Sequence, residues 1–178
     1  MDVRPAGEPP DDPFAALGLP RSFALDATAI RRAYLTRSAG VHPDRDPSDP
    51  ERLQATARLN RARQDLADPE LRADVLLRLL GGPSRETERG LPQGFLAEIM
   101  DLRERLEQVS SAGDPTEVGR WRNWADELRS ARLEEIQRAF AALPALPTAE
   151  SLRAIRIELN ALRYVERLIE SLDGKGAA

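Results

Sequence analysis

The tripeptide His42-Pro43-Asp44 contains the side chains of this 178-residue chain that are best suited to chemistry. It holds the single histidine of the chain, and Pro43 restricts the backbone angle φ, so that its neighbours are held in a defined, exposed loop. A lone histidine in a loop is usually only solvated. The three residues by themselves therefore leave two alternatives open, a solvated loop and a functional one.

Other reactive groups are scarce. The chain has no cysteine, which excludes disulfides, thiolate metal sites and cysteine nucleophiles, and one histidine cannot form a histidine metal cluster. Carboxylates lie three or four residues from arginines, as in solvated ion pairs on helices, and no glycine-rich phosphate loop is present. The sequence predicts no catalytic residues, no metal, no cofactor and no enzyme activity.

Composition restricts the partners and the location. The formal net charge of −4 argues against a nucleic-acid partner, because no overall basic field exists to neutralise phosphates. The N-terminal residues are acidic and proline-rich, and no stretch approaches the roughly 20 apolar residues of a membrane span. We expect a cytoplasmic protein without a nucleic-acid or membrane partner.

Helix signals recur along the whole chain, and no alternating β pattern competes with them. An aspartate before a proline is typical of a helix N-cap followed by the first helical residue, and four such pairs precede predicted helices. They are Asp12-Pro13, Asp49-Pro50, Asp68-Pro69 and Asp114-Pro115. A further helix is predicted from the Asp26 cap to about Ala39, where Gly40 ends it. The predicted fold class is all-α.

Two domains are predicted. Gly81-Gly82-Pro83 ends the fourth predicted helix, and the polar residues that follow are typical of a linker. Beyond it, three longer apolar patterns predict an antiparallel three-helix bundle. The predicted boundaries are 1–11 for an N-terminal tail, 12–81 for the first domain, 82–94 for the linker, 95–173 for the bundle and 174–178 for a C-terminal tail.

The first domain resembles a J-domain in the order and spacing of its motifs. These motifs are Ile30-Arg31-Arg32-Ala33-Tyr34, the His42-Pro43-Asp44 loop, Leu59-Asn60-Arg61-Ala62, and Asp68-Pro69 with Arg72. Two stretches resemble the HscB family of iron–sulfur co-chaperones more narrowly, Phe14 to Pro20 and Arg72 to Gly81. The resemblance continues at Phe95 to Leu106 and at Leu162 to Leu168, which look like helices of the HscB C-terminal domain.

This resemblance implies a docking role for the loop. The partner would be the ATPase domain of a DnaK/HscA-type chaperone, with Asp44 accepting charge-assisted hydrogen bonds, Pro43 setting the loop and His42 packing at the interface. Positive charge for steering would come from Arg31, Arg32 and Arg45. The alternative for Arg31 and Arg32 is a solvated helix face.

The chain departs from the family pattern in three respects. Basic side chains are usual just before the tripeptide, where this chain has Ala39, Gly40 and Val41. Arg37 stands where a core leucine is common, and Arg63 where an aromatic is usual. The predicted basic surface that faces the chaperone therefore carries few positive charges.

A second binding surface is predicted on the helix that begins at Phe95. Phe95, Ile99 and Leu102 belong to its core stripe, whereas Leu96 and Met100 lie on another flank, suited to a partner. The alternative is that both flanks of this helix pack inside the bundle. In the HscB resemblance, the positions that hold the iron–sulfur scaffold protein are Leu96, Met100, Asp101, Glu104 and Tyr164, with Ala97 and Gln108 as weaker members.

The leading hypothesis is a co-chaperone that delivers an iron–sulfur scaffold protein to a DnaK/HscA-type chaperone and stimulates its ATPase. The alternative keeps the J-domain but uses the bundle for another client or for oligomerisation. The chain is expected to be a monomer or a weak homo-oligomer.

Overall fold

The computed structural model describes residues 12–40, 49–112 and 115–176, apart from the side chains of 106–112, 115 and 172–176. Seven helices follow one another in these ranges, and no strand occurs in the described residues. The predicted all-α fold class is confirmed. The chain divides into two compact units, Met1–Leu79 and Leu80–Ala178.

The first unit is built around its longest helix. Its helices are α1 (Pro13–Leu17), α2 (Ala27–Ser38), α3 (Pro50–Ala67) and α4 (Pro69–Leu79), and the other three all pack against α3. The core residues of this unit are aliphatic except for Phe14 and Phe23. Phe14, Leu66 and Leu77 are fully enclosed, so all four helices depend on one small core.

Helix α1 begins and ends with the caps that its sequence predicts. The Asp12 carboxylate accepts hydrogen bonds from the backbone N–H groups of Phe14 at 2.9 Å and Ala15 at 3.2 Å, and pairs with Arg21 at 2.7 Å. Gly18 ends the helix at a φ of 68°, a left-handed conformation that favours glycine. The Arg37 guanidinium from α2 occupies the space where a Cβ at position 18 would point. Arg37 therefore covers the glycine turn, at a position where the resemblance noted above leads us to expect a leucine.

We expect Gly18→Ala to destabilise the first unit by about 1 to 3 kcal/mol, because alanine is strained at a φ of 68° and the Arg37 guanidinium must also move away from the added Cβ. Urea denaturation followed by far-UV circular dichroism measures the loss. The matched control is Gly119→Ala, a helical glycine of α6 with open space around it, where alanine should stabilise by about 0.5 to 1 kcal/mol. Equal effects of the two substitutions would contradict the conclusion that the turn requires glycine at position 18.

Contacts between α2 and α3 fix the register of this antiparallel pair. The Tyr34 hydroxyl donates to Asn60 Oδ1 at 2.7 Å, and the Arg63 guanidinium lies 4.9 Å from the centre of the Tyr34 ring. Arg63 thus makes a cation–π contact at a position where the resemblance noted above leads us to expect an aromatic side chain. Leu53 of α3 is 50% exposed. It lies roughly two turns before Asn60, beyond the point where α2 ends opposite it.

Arg72 joins the end of α3 to α4. It donates to the Leu66 carbonyl at 2.6 Å, and its guanidinium lies 5.2 Å from the centre of the buried Phe23 ring. Burial lowers the pKa of Arg72, against a smaller opposing effect of Asp68. The Arg72 contacts hold the Leu-rich α4 on the first unit.

The second unit contains three long helices. They are α5 (Phe95–Ala112), α6 (Pro115–Ala141) and α7 (Ala149–Gly176), and each contacts the other two. Part of the core is formed by Phe95 and Ile99 of α5, Ala125 of α6 and Val165 of α7. Ion pairs at the edge join Arg129 to Glu166 at 2.6 Å and Arg132 to Glu158 at 3.2 Å. Helix α7 continues to Gly176, into the segment predicted as a C-terminal tail.

The segment predicted as a linker packs against α7. The Asn160 side-chain amide donates to the carbonyls of Glu88 and Gly90, both at 3.0 Å, and Arg156 donates to the Pro83 carbonyl at 2.9 Å. Glu88 also pairs with Arg153, and the hydrogen bond from Arg153 lowers the pKa of Glu88. Residues 83–90 are therefore an ordered part of the second unit, and the two units divide at Leu79 and Leu80.

Candidate functional site

The tripeptide His42-Pro43-Asp44 and Arg45 lie outside the described residues. The helices on either side of them are described, since α2 ends at Ser38 and α3 begins at Pro50. The Asp49 carboxylate caps α3 by accepting from the Glu51 N–H at 3.0 Å. The connection that carries the tripeptide thus joins two helices whose register is fixed by Tyr34, Asn60 and Arg63.

The outer face of α2 carries positive charge beside an apolar side chain. Arg31 and Arg32 are both exposed. Leu35 is 55% exposed and lies one turn after Arg31, on the same side of the helix. Sequence reasoning did not single out Leu35, although its spacing from Ile30, which is buried, is a signal that it faces away from the core.

Helix α5 has apolar side chains on two flanks. Phe95 and Ile99 are buried in the core, whereas Leu96 is 50% and Met100 63% exposed. The alternative was that both flanks of α5 pack inside the bundle. It is wrong for Leu96 and Met100. Asp101 and Glu104 are exposed beside them, as is Ala97, while the Gln108 side chain is outside the description.

Tyr164 of α7 is joined to α5 through an aromatic contact. Its ring meets the Phe95 ring edge to face, with the ring centres 6.3 Å apart. The Arg132 guanidinium also lies 5.0 Å from the centre of the Phe95 ring. Phe95 of α5 is thereby held by side chains of α6 and α7. Tyr164 is 39% exposed and lies beside the helix that bears Leu96. We call Leu96, Met100, Asp101, Glu104 and Tyr164 the α5 surface.

The described residues include no group of three His, Asp or Glu side chains that could hold a metal ion. Among the helices of the described ranges, none is both long enough and apolar enough to cross a membrane.

Two family models match the chain, one for each unit. A DnaJ domain model matches residues 12–75, and a model of the HSCB C-terminal oligomerisation domain matches residues 91–173. A co-chaperone protein HscB homolog of Paraburkholderia phymatum is 34% identical over 164 residues, which are 89% of this chain and 90% of that protein. The chain belongs to the HscB co-chaperone family.

Solved structures of HscB proteins have the same fold. The chaperone HscB from Vibrio cholerae is 27% identical, with a TM-score of 0.72 over 91% of this chain and 95% of its own. Human co-chaperone protein HscB, at 22% identity, shares the fold with a TM-score of 0.77 over 96% of this chain and 85% of its own. The predicted HscB resemblance is confirmed, and this chain is a J-domain co-chaperone that is not itself an enzyme.

Proposed function

We propose that this HscB-family chain binds an iron–sulfur scaffold protein through the α5 surface, delivers it to a DnaK/HscA-type chaperone and stimulates the ATPase of that chaperone. The observation that carries the proposal is the exposure of Leu96 and Met100 on a helix whose other flank already supplies the core. Exposed apolar side chains bordered by acids suit a partner surface, because contact with a partner removes them from water.

The chaperone would dock on the first unit. In this proposal His42, Pro43 and Asp44 contact its ATPase domain, and Arg31, Arg32 and Arg45 attract an acidic surface of the chaperone. Exposed Leu35, beside Arg31, supports docking on the outer face of α2 because it adds apolar contact area to a charged surface. The proposed J-domain spans 12–81 and the proposed scaffold-binding domain 95–173, and the expected location is the cytoplasm.

In a second candidate function, the three-helix bundle mediates self-association of the chain. It is favoured by the family model that matches residues 91–173, which is described as an oligomerisation domain. In that case the α5 surface would meet a second copy of the chain, and the client would be another protein.

A pull-down with the tagged full-length chain, combined with analytical ultracentrifugation, separates the two functions. The leading proposal predicts that the host's iron–sulfur scaffold protein is recovered and that the chain alone sediments as a monomer or weak oligomer. Absence of the scaffold, together with a stable dimer that Met100→Arg dissociates, would favour the second function.

A further inference from the structure

A cleft of about 460 Å³ opens between α7 and residues 85–89, within the second unit. Four arginines line it, Arg85, Arg89, Arg163 and Arg167, and we call it the arginine cleft. This concentration of positive charge contrasts with the net charge of −4 of the whole chain. Because guanidinium groups bind carboxylates and phosphates through two parallel hydrogen bonds, the cleft is suited to an anionic group.

The fold positions these arginines from two directions. Asn160, Arg163, Tyr164 and Arg167 are spaced so that they share one face of α7. Arg85 and Arg89 come from the segment whose carbonyls the buried Asn160 side chain holds. The hydrogen bonds of Asn160 therefore fix the separation between the two walls of the cleft.

One carboxylate, that of Glu86, also lines the arginine cleft. Glu86 lies 3.8 Å from the Arg85 Nε, and the pKa of Glu86 is lowered by a hydrogen bond from Ser84 and by the charges of Arg85 and Arg156. Glu86 is thus ionised at neutral pH. Four positive charges and one negative charge leave the lining with an excess of three positive charges.

The arginine cleft and the α5 surface meet at Tyr164, which belongs to both. The α5 surface carries the exposed acids Asp101 and Glu104, so the combined area contains both the four arginines of the cleft and two acids of α5. A long polyanion would be repelled by these acids and by the net negative charge of the chain, whereas a short acidic peptide segment can enter the cleft alone.

We infer that the arginine cleft binds an acidic segment of the protein partner that the α5 surface holds. This inference rests on the proposed function, which names that partner as the scaffold. The carboxylates of the segment pair with the arginines, and the two opposite charges of the combined area fix the orientation of the partner.

The test compares three full-length proteins. Arg89→Gln with Arg167→Gln removes two charges from the cleft, and Arg120→Gln with Arg138→Gln removes two exposed arginine charges from α6 as a matched control. Binding of fluorescein-labelled hexaglutamate is measured by anisotropy at low ionic strength. We expect the cleft variant to bind about tenfold more weakly than wild type, and the control to bind nearly as wild type does. Equal affinity of all three proteins would overturn the inference, as would cleft-dependent binding of tripolyphosphate without binding of hexaglutamate.

A second titration uses the host's scaffold protein. The cleft variant should bind it about tenfold more weakly than the control does, with a smaller dependence on salt. If the scaffold binds the cleft variant and wild type equally, the assignment of the acidic segment to that partner is wrong. If wild type binds no scaffold, the proposed function fails, and the hexaglutamate result alone decides whether the cleft binds acidic peptide.

Discussion

Asp44→Asn should abolish stimulation of the chaperone ATPase while leaving the fold intact. The substitution keeps the size of the side chain but removes the negative charge that is proposed to accept hydrogen bonds from the chaperone. Loss of one partner of a charged pair at an interface costs about 2 to 5 kcal/mol, or roughly 30- to several-thousand-fold in affinity. Steady-state ATP hydrolysis by the host's DnaK/HscA-type chaperone measures the effect.

The control for this experiment is Asp46→Asn, the same change two residues further along the chain. It alters the net charge equally but lies outside the tripeptide, so stimulation should be close to that of wild type. Thermal unfolding followed by circular dichroism should give the same midpoint for all three proteins. Stimulation by Asp44→Asn equal to that by wild type would refute the proposed role of the tripeptide.

The second large effect is expected for Leu96→Ala combined with Met100→Ala. Both side chains are more than a third exposed in the free chain, and contact with the scaffold would remove them from water. Their truncation should weaken scaffold binding by about 2 to 4 kcal/mol, or roughly 30- to 1000-fold in Kd. Isothermal titration calorimetry with the full-length chain measures the change.

Leu146→Ala is the matched control for the α5 variant. Leu146 is 87% exposed in the connection between α6 and α7 of the same unit, away from the α5 surface. Its truncation removes comparable exposed apolar area and should leave the Kd for the scaffold unchanged. An unchanged Kd for the Leu96 and Met100 variant would show that the α5 surface does not hold the scaffold.

Local sequence signals were sufficient for the first residues of α1, α3 and α4. Asp12, Asp49 and Asp68 each cap a helix through a side-chain hydrogen bond, because an aspartate oxygen can reach the free N–H groups of the first turn. Asp26 is the exception, since α2 begins after it without a side-chain bond. Burial of Ile30 against the first core, rather than a cap, therefore stabilises the start of this helix.

Helical periodicity also separated the two flanks of α5 correctly. The spacing of Phe95 and Ile99 predicts one buried face, and both residues are in the core. Leu96 and Met100 then necessarily lie on another flank, and their exposure agrees with this expectation. What they bind is a property of a second molecule, so periodicity alone could not identify it.

Contacts between distant parts of the chain could not be predicted from local patterns. The glycines and prolines of 82–94 are typical of a linker, but the Asn160 side chain binds carbonyls about 70 positions earlier in the chain. Arg63 and Arg37 looked like simple losses of apolar contact, whereas one stacks on Tyr34 and the other covers Gly18. In each case a long polar side chain finds a partner that only the tertiary fold supplies.

The proposed delivery requires both binding surfaces on one chain, and a mixing experiment tests this requirement most directly. ATP hydrolysis by the chaperone is measured in the presence of the scaffold, with wild type or with an equimolar mixture of Asp44→Asn and the Leu96→Ala, Met100→Ala variant. The mixture contains one intact surface of each kind, but on separate molecules. We predict that wild type with scaffold stimulates hydrolysis more than the sum of their separate effects, and that the mixture gives no more than that sum. A mixture as active as wild type would contradict the claim that this chain couples the scaffold to the chaperone.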